Sequence, residues 1–465
     1  MTTGAPSTNL RAARLGAALT LALAASAGAC GDEESPVRPS NVTASVSDAI
    51  ATVVQVQWTT GADAVGYVEF GPTPALGLRT PMDAAAGVTH AATLLGLTGE
   101  TVYYYRAVSV DGSATVAGDV RSIRTKTVPL EVPLTTTGEG LGGFIVVPVL
   151  GTTVAVVVLN AKGEIVWYHT DDRDLDFYRA RLSVDGKSLL YNAAKISGTP
   201  SEASALVRVA LDGSGSTAIP IPYLAHDFVE HPDGTLAAIA IEYRDFEGKP
   251  LAGNRIVEVT PDGGQRTAWT SWDCFDPAVV RGDAITQDWT FANALDYDPV
   301  EDVYYLGMRD FSSIARINRK TRACEWVLGL GAATFTFAPG SVRFLHQHQF
   351  QVRGNRVVVM DNDGAPGNES RVLEYELDVT NQVARQVWSF TATPSVYSFV
   401  FGEPARFDDG RTFINWGAAG QFELLDPGGN SVWKLNSTAG IAFGFHVLAE
   451  SLYSGSSSEP GASGT

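Results

Sequence analysis

Of the seven histidines, six (His169, His226, His231, His346, His348 and His446) fall after residue 129. An imidazole near neutral pH can be a nucleophile, a proton carrier or a metal ligand. Two of these six share a position relative to local structure. His226 lies five residues before the turn at His231-Pro-Asp-Gly, and His348 five before Arg353-Gly-Asn-Arg. In the unit between them Phe291 lies seven residues before Asp298-Pro-Val-Glu-Asp. That shared offset places His226 and His348 on equivalent strands facing one shared cavity. His346-x-His348 could begin a metal site with His226, but no matching carboxylate cluster is evident, so no metal is expected. Asp361-Asn362-Asp363-Gly364 departs from the full calcium-loop pattern and reads as a turn. Gly329-Leu330-Gly331 is too little for a phosphate loop.

The elements that position these residues are repeats. A turn followed by a short strand recurs over Asn160–Trp167, Leu211–Ile219, Thr260–Trp269, Asn318–Trp326, Leu377–Trp388 and Asp426–Trp433; all but the second copy end in Trp. A second hairpin class alternates with it, at Val184–Lys187, His231–Gly234, Asp298–Asp302, Arg353–Arg356 and Asp408–Arg411. Two hairpins per unit make four strands, and a unit of roughly 40–60 residues is the size of a propeller blade. Six units over residues 129–453 predict a six-bladed β-propeller. The Trp residues are read as packing between blades. The His226 and His348 positions then meet in the central channel, and His446 in the last blade is read as a core residue.

Residues 39–128 read as a small all-β sandwich of immunoglobulin or fibronectin kind. Ala51–Trp58 alternates polar and apolar residues, and Leu97–Arg106 resembles the tyrosine-bearing strand of fibronectin type III domains. Trp58 and one face of the tyrosine run should fill its core, and His90 reads as a surface residue. Ahead of it, Arg11 and Arg14 precede the short apolar run Leu15–Leu23, and Ala27-Gly28-Ala29-Cys30 resembles a bacterial lipobox. Residues 1–29 are therefore expected to be a signal peptide, Cys30 a lipidated first residue and 30–38 a tether. This implies an exported lipoprotein of the cell envelope, periplasm-facing or at the outer membrane. Cys274 and Cys324 remain: an even pair in an exported chain permits a disulfide, with two free buried thiols a close alternative. Residues 454–465 have nothing to bury and should be disordered.

The composition supports a folded, turn-rich chain: 45% hydrophobic residues, 47 Gly and 23 Pro in 465 residues. The net charge of −18 argues against a nucleic-acid partner, which needs a basic face. A site for an anion must therefore carry its own local positive groups.

The ordered set His226-Asp227, Asp288-Trp289…Asn293, Gly307-Met308-Arg309, Gln347-His348, Met360-Asp361-Asn362 and Ser370-Arg371 resembles that of the bacterial aryl-sulfate sulfotransferases, over most of residues 140–440. The resemblance implies a propeller preceded by a smaller β domain. It implies a sulfuryl group moved from a phenol ester to a phenol through a sulfated histidine, with no nucleotide or other cofactor. By that likeness His348 is the nucleophile, His226 a second channel histidine that exchanges the proton with the phenols, and Arg309 the channel arginine. Phe291, Asn293, His346, Asn362 and Arg371 would line the substrate. On a regular strand His346 would share the face of His348. One departure is clear: the family's third histidine falls on Phe291. That change supports a second reading, in which the ring is a binding or adhesion module. A third reading is a metal-dependent hydrolase.

Overall fold

The computed structural model describes residues 35–454 except 113, 196–199, 280–288, 366, 368 and 439. The expected signal peptide, Cys30, the start of the tether, Asp288 and all of the tail but Ser454 lie outside these residues. What is described is almost entirely β, with two short 3₁₀ turns.

Six sheets form a six-bladed propeller. Each antiparallel blade begins at the axis and runs outward. The inner strands are Asp176–Leu182, Leu224–Glu230, Ala292–Asp298, Phe350–Arg353 and Glu403–Arg406 in blades 2 to 6. Blade 1 takes its innermost strands from the far end of the chain: Ala442–Phe443 and Val447–Ala449 both pair with Phe144–Leu150. Leu134–Gly138 adds a fifth strand to the outer edge of blade 6. The ring is thus closed by hydrogen bonds at both its inner and outer rims.

The repeats map onto this plan. The second hairpin class joins inner to second strands, and the Trp-ended class forms the outer strands. Asp-Gly turns suit the first joint because Gly186 and Gly234 sit at φ 67° and 82°, where a β-carbon is unfavourable. Each blade is covered on both faces by neighbours, so its middle strands are buried on both sides; Ala155–Asn160 reads Ala-Val-Val-Val-Leu-Asn. Trp167, Trp269, Trp326 and Trp433 are buried, while Trp388 is half-buried beneath Arg406, whose guanidinium lies 4.2 Å from its ring centre.

The first seven strands form a separate unit. Val54–Gly71 pairs in its first half with Ser40–Val46 and Gly87–Leu94, and in its second half with Val102–Asp111. Trp58, Tyr103 and Tyr105 fill its core, as the alternation required. His90 does not lie on the surface. It is 2% exposed, stacked on Trp58 at 5.0 Å and hydrogen-bonded to Thr60 and Asp83, because its strand turns that face inward. This unit leans on blade 1. Ile50, Ala51, Val53 and Leu95 join that blade's apolar core, and Tyr453 receives the Leu95 N–H and donates to the Thr93 carbonyl.

The blades meet at the axis through one charged hub. Arg179 is fully buried; its Nε donates to Asp227 Oδ1 at 2.9 Å and its Nη1 to Glu403 and to the His446 carbonyl. Asp227 also accepts from the Leu295 and Phe228 N–H groups and from Gln349 Nε2. Arg179, Asp227, Leu295, Gln349, Glu403 and His446 come from six different blades. Burial alone would raise the Glu403 carboxyl, but the Arg179 guanidinium and His446 hold it down at about 2. On the far side of the hub lies a cavity of about 40 Å³, room for a few waters but not for an aryl ester.

Two outcomes follow. Arg179→Met strands two buried carboxylates and should cost roughly 3–5 kcal/mol in urea unfolding, with part regained in the Arg179→Met/Glu403→Gln double variant; a loss below about 1 kcal/mol would contradict the hub. Cys274 and Cys324 are disulfide-bonded, 50 residues apart. Cys324→Ser should lower stability by up to roughly 4 kcal/mol on the loop-closure relation, and an unchanged midpoint under oxidising conditions would refute that contribution.

Candidate functional site

On the other side of the hub, one ring from each blade surrounds the axis. Phe291 and His226 have centres 5.0 Å apart, His226 and Tyr178 5.7 Å, Tyr178 and Phe401 5.9 Å, and Phe401 and His348 6.3 Å. Phe445 completes the set, 6.2 Å from His348 and 5.5 Å from Phe401. Arg309 reaches in from blade 4. Its guanidinium lies 5.6 Å from the Phe291 ring centre and donates to Asp310 at 2.9 Å, and its backbone N–H holds the Phe291 carbonyl. The structure therefore brings His226, His348, Arg309 and Phe291 together.

The orientation of His348 is set by Asn362. The Asn362 amide nitrogen donates to the carbonyls of Ser398 and Phe401 at 2.7 and 2.9 Å, so its oxygen is the atom 2.9 Å from His348 Nδ1. An oxygen there requires Nδ1 to carry the proton. The lone pair is then on Nε2. Burial, and secondarily the Arg309 charge, pushes the His348 imidazole down to about 3. Neutral at ordinary pH, with a fixed tautomer, it has the state a nucleophile needs.

His226 is also buried and pushed down to about 3, by burial first and then by the charges of His348 and Arg309. Its Nδ1 has no hydrogen-bond partner. The expectation that His226 protonates a departing phenolate meets an obstacle here: a buried imidazole that stays neutral beside the Arg309 guanidinium has no proton to give at ordinary pH. It is suited to contact oxygens of a bound anion.

Other expectations change as well. Asn362 does not face a substrate with free polar atoms; its carboxamide is spent on His348 and two carbonyls. Arg371 does not enter the ring. Its Nε is paired with buried Asp361 at 2.7 Å, and Asp361 accepts from the Leu345 and Gly364 N–H groups. Arg371 thus steadies the segment behind the histidines. His346 does not sit on a regular strand beside His348: residues 341–349 are irregular, and His346 has φ 50°. Its Nδ1 is 2.8 Å from Asp363, and its N–H donates to Ser312 Oγ. Residues 361–364 lie inside the strand Arg356–Ala365, with a register shift, and are not a free turn. Asn293 is buried and donates to the Gln347 carbonyl, which locks the His348 segment to blade 4. His446 lies beyond the hub, against Phe413 and Glu403.

Phe291, His346 and Phe401 all have φ between 45° and 61°. Bulky residues there cost about 1–3 kcal/mol each and persist where the surroundings over-determine them. Sequence reasoning missed Tyr178, Phe401, Phe445 and the hub. A signal was available: the offset of five before the turn, applied to every blade that has the turn, gives Arg179, His226, Asn293, His348 and Glu403.

Among the described residues, no group of three or more His, Cys, Asp or Glu side chains is arranged to hold a metal. No curated protein matches the chain. Solved structures that resemble it include a streptogramin B lyase (11% identity, 66% of this chain, 97% of that one, TM-score 0.37) and a periplasmic gluconolactonase of Pseudomonas aeruginosa (14%, 84% and 99%, 0.38). Likeness this distant carries no argument about activity. The family model for arylsulfotransferase (ASST) matches residues 143–443, which hold His226, Phe291, Arg309, His348 and every propeller strand except Leu134–Gly138 and Val447–Ala449, and on that match the chain belongs to the arylsulfotransferase family.

Proposed function

We propose that this protein moves a sulfuryl group from an aryl sulfate to a phenol through sulfated His348. The observation that carries this reading is the Asn362–His348 bond, which leaves the Nε2 lone pair of a neutral imidazole in a ring of aromatic side chains. The S–O bond to the aryl group breaks as N–S forms at Nε2, and the phenolate departs. A phenol oxygen then attacks sulfur and N–S breaks. Arg309, the cation within electrostatic reach of both histidines, would neutralise sulfuryl oxygens, and its planar fork suits them. His226 would supply a neutral contact. Tyr178, Phe291 and Phe401 offer faces for an aromatic ring. Positioning and electrostatics would provide most of the acceleration.

Phe291 supports a second reading, a propeller that binds an aromatic ligand without transfer. Where the family places a histidine, this ring gives an apolar wall and takes a donor from the sulfuryl group. We further propose that Cys30 is lipidated, anchoring the chain in the cell envelope, and that the fibronectin-like unit braces blade 1.

Purified protein mixed with a nitrophenyl sulfate and a phenol acceptor should release nitrophenolate and form the new ester. His348→Ala should lower turnover by at least about 10³-fold, by analogy with loss of other covalent nucleophiles; equal turnover would remove His348 from this role. Phe291→His should raise transfer by up to about 10²-fold, the scale of one transition-state hydrogen bond. Gain from an inactive protein would favour the second reading, and no change in an active one would reject it. Because His348 is held near 3, sulfation of the enzyme by the nitrophenyl donor should stay level from pH 8 to about 5 and fall only as protonation begins below that. A fall centred near 6.5 would show an unshifted imidazole.

A further inference from the structure

Sulfate and phosphate esters of one phenol share a tetrahedral shape and nearly the same size. They differ in charge. An aryl sulfate carries one negative charge at ordinary pH, whereas an aryl phosphate loses a second proton near about pH 6 and carries two above it. The lever for telling them apart is how much positive charge a site leaves uncompensated.

Arg309 brings a cation to the ring. Its guanidinium lies 5.6 Å from the Phe291 ring centre, which is 5.0 Å from that of His226. The Arg309 Nη1 donates to Asp310 Oδ1 at 2.9 Å, and the Asp310 side chain has no exposed surface. The pair sits in a tight turn, closed by the Ser312 N–H on the Arg309 carbonyl. Arg179 lies 5.0 Å from the Phe445 ring centre, but its guanidinium is bound to Asp227 and Glu403, two carboxylates for one cation. Among the described residues, each guanidinium stacked on the ring thus comes with a carboxylate. His226 and His348 stay neutral at ordinary pH, and Phe291 stands where the family places a histidine. A bound monoanion can share Arg309 with Asp310. A second negative charge on the ligand would face that carboxylate across a poorly screened gap, with no further cation to balance it.

Resting on the proposed sulfuryl transfer, we infer that Asp310 is a specificity-determining residue: by compensating Arg309 it confines the site to singly charged aryl esters and turns away doubly charged aryl phosphates. It acts through Arg309, by charge and not by shape.

The test measures binding of two aryl anions to the full chain by calorimetry at pH 8 and pH 5. Benzylsulfonate, with CH₂ in place of the ester oxygen, is singly charged at both. Phenyl phosphate is doubly charged at pH 8 and mostly singly charged at pH 5. On wild type, benzylsulfonate should bind at least about 10-fold more tightly at pH 8, the effect of one weakly screened unit charge. At pH 5 that gap should close to less than about 3-fold. Both ring imidazoles stay neutral across this range, and benzylsulfonate registers any other change in the protein, so the ratio reports the ligand's charge. Asp310→Asn keeps an acceptor for Arg309 and removes the charge; it should narrow the pH 8 gap by about 10-fold. If that variant does not fold, Asp310→Ser serves the same comparison. No gap at pH 8, or a gap unchanged at pH 5, overturns the inference. So does a gap unchanged in the variant, with both ligands weakened alike or neither affected, since a merely structural role would spare the ratio. If wild type binds neither ligand, the transfer reading itself fails; if it binds both alike at pH 8 and still forms sulfated His348, only this inference does.

Discussion

A single guanidinium without access to solvent organises this molecule. Arg179 at the axis ties Asp227 and Glu403 together, and those carboxylates in turn gather donors from the remaining blades. Isolated, each of the three charges would be very costly to bury. Together they satisfy one another only when all six inner strands are in register. The hub therefore specifies the ring more than it stabilises it, since an apolar axis of the same volume could bind as tightly without fixing which blade lies where. The site is a direct consequence. Asp227 follows His226 and Gln349 follows His348, so the same contacts that fix the hub set the depth and direction of both imidazoles.

The surroundings of those imidazoles are low in polarity by design of the ring. Tyr178, Phe291, Phe401 and Phe445 surround them, and Arg309 is the nearby cation. Removing water lowers the tendency of each histidine to accept a proton, which keeps both imidazoles neutral at ordinary pH. The same setting makes His226 and His348 unfit to carry protons.

The sequence was most legible where a local rule applies. Asp-Gly turns and Trp-ended outer strands are written in short segments, so blade number and the alternation of hairpins could be read directly. His226 and His348 were found because both obey one spacing rule from the next turn. What was not legible depends on long-range pairing. Nothing near Leu134–Gly138 or Val447–Ala449 marks them as partners of strands hundreds of residues away. His346 was misjudged because a face-sharing rule assumes a strand, whereas Ser312 and Asp363 hold that residue in a left-handed turn. Asn362 and Arg371 were assigned to the substrate because their types suit an anion; only coordinates reveal that other protein groups already occupy their polar atoms.

The innermost strand of blade 1 has a consequence for how the site comes into being. Phe445 and the His446 carbonyl, which touch His348 and the hub, lie far along the chain from the strand beside them, which begins at Phe144. Until that last segment docks, five blades form an open arc in which Arg179 lacks one acceptor and His348 one wall. Closure of the ring of side chains around His348 is thus coupled to docking of that segment, and a copy clipped before it would leave His348 without the Phe445 wall and Arg179 without the His446 carbonyl.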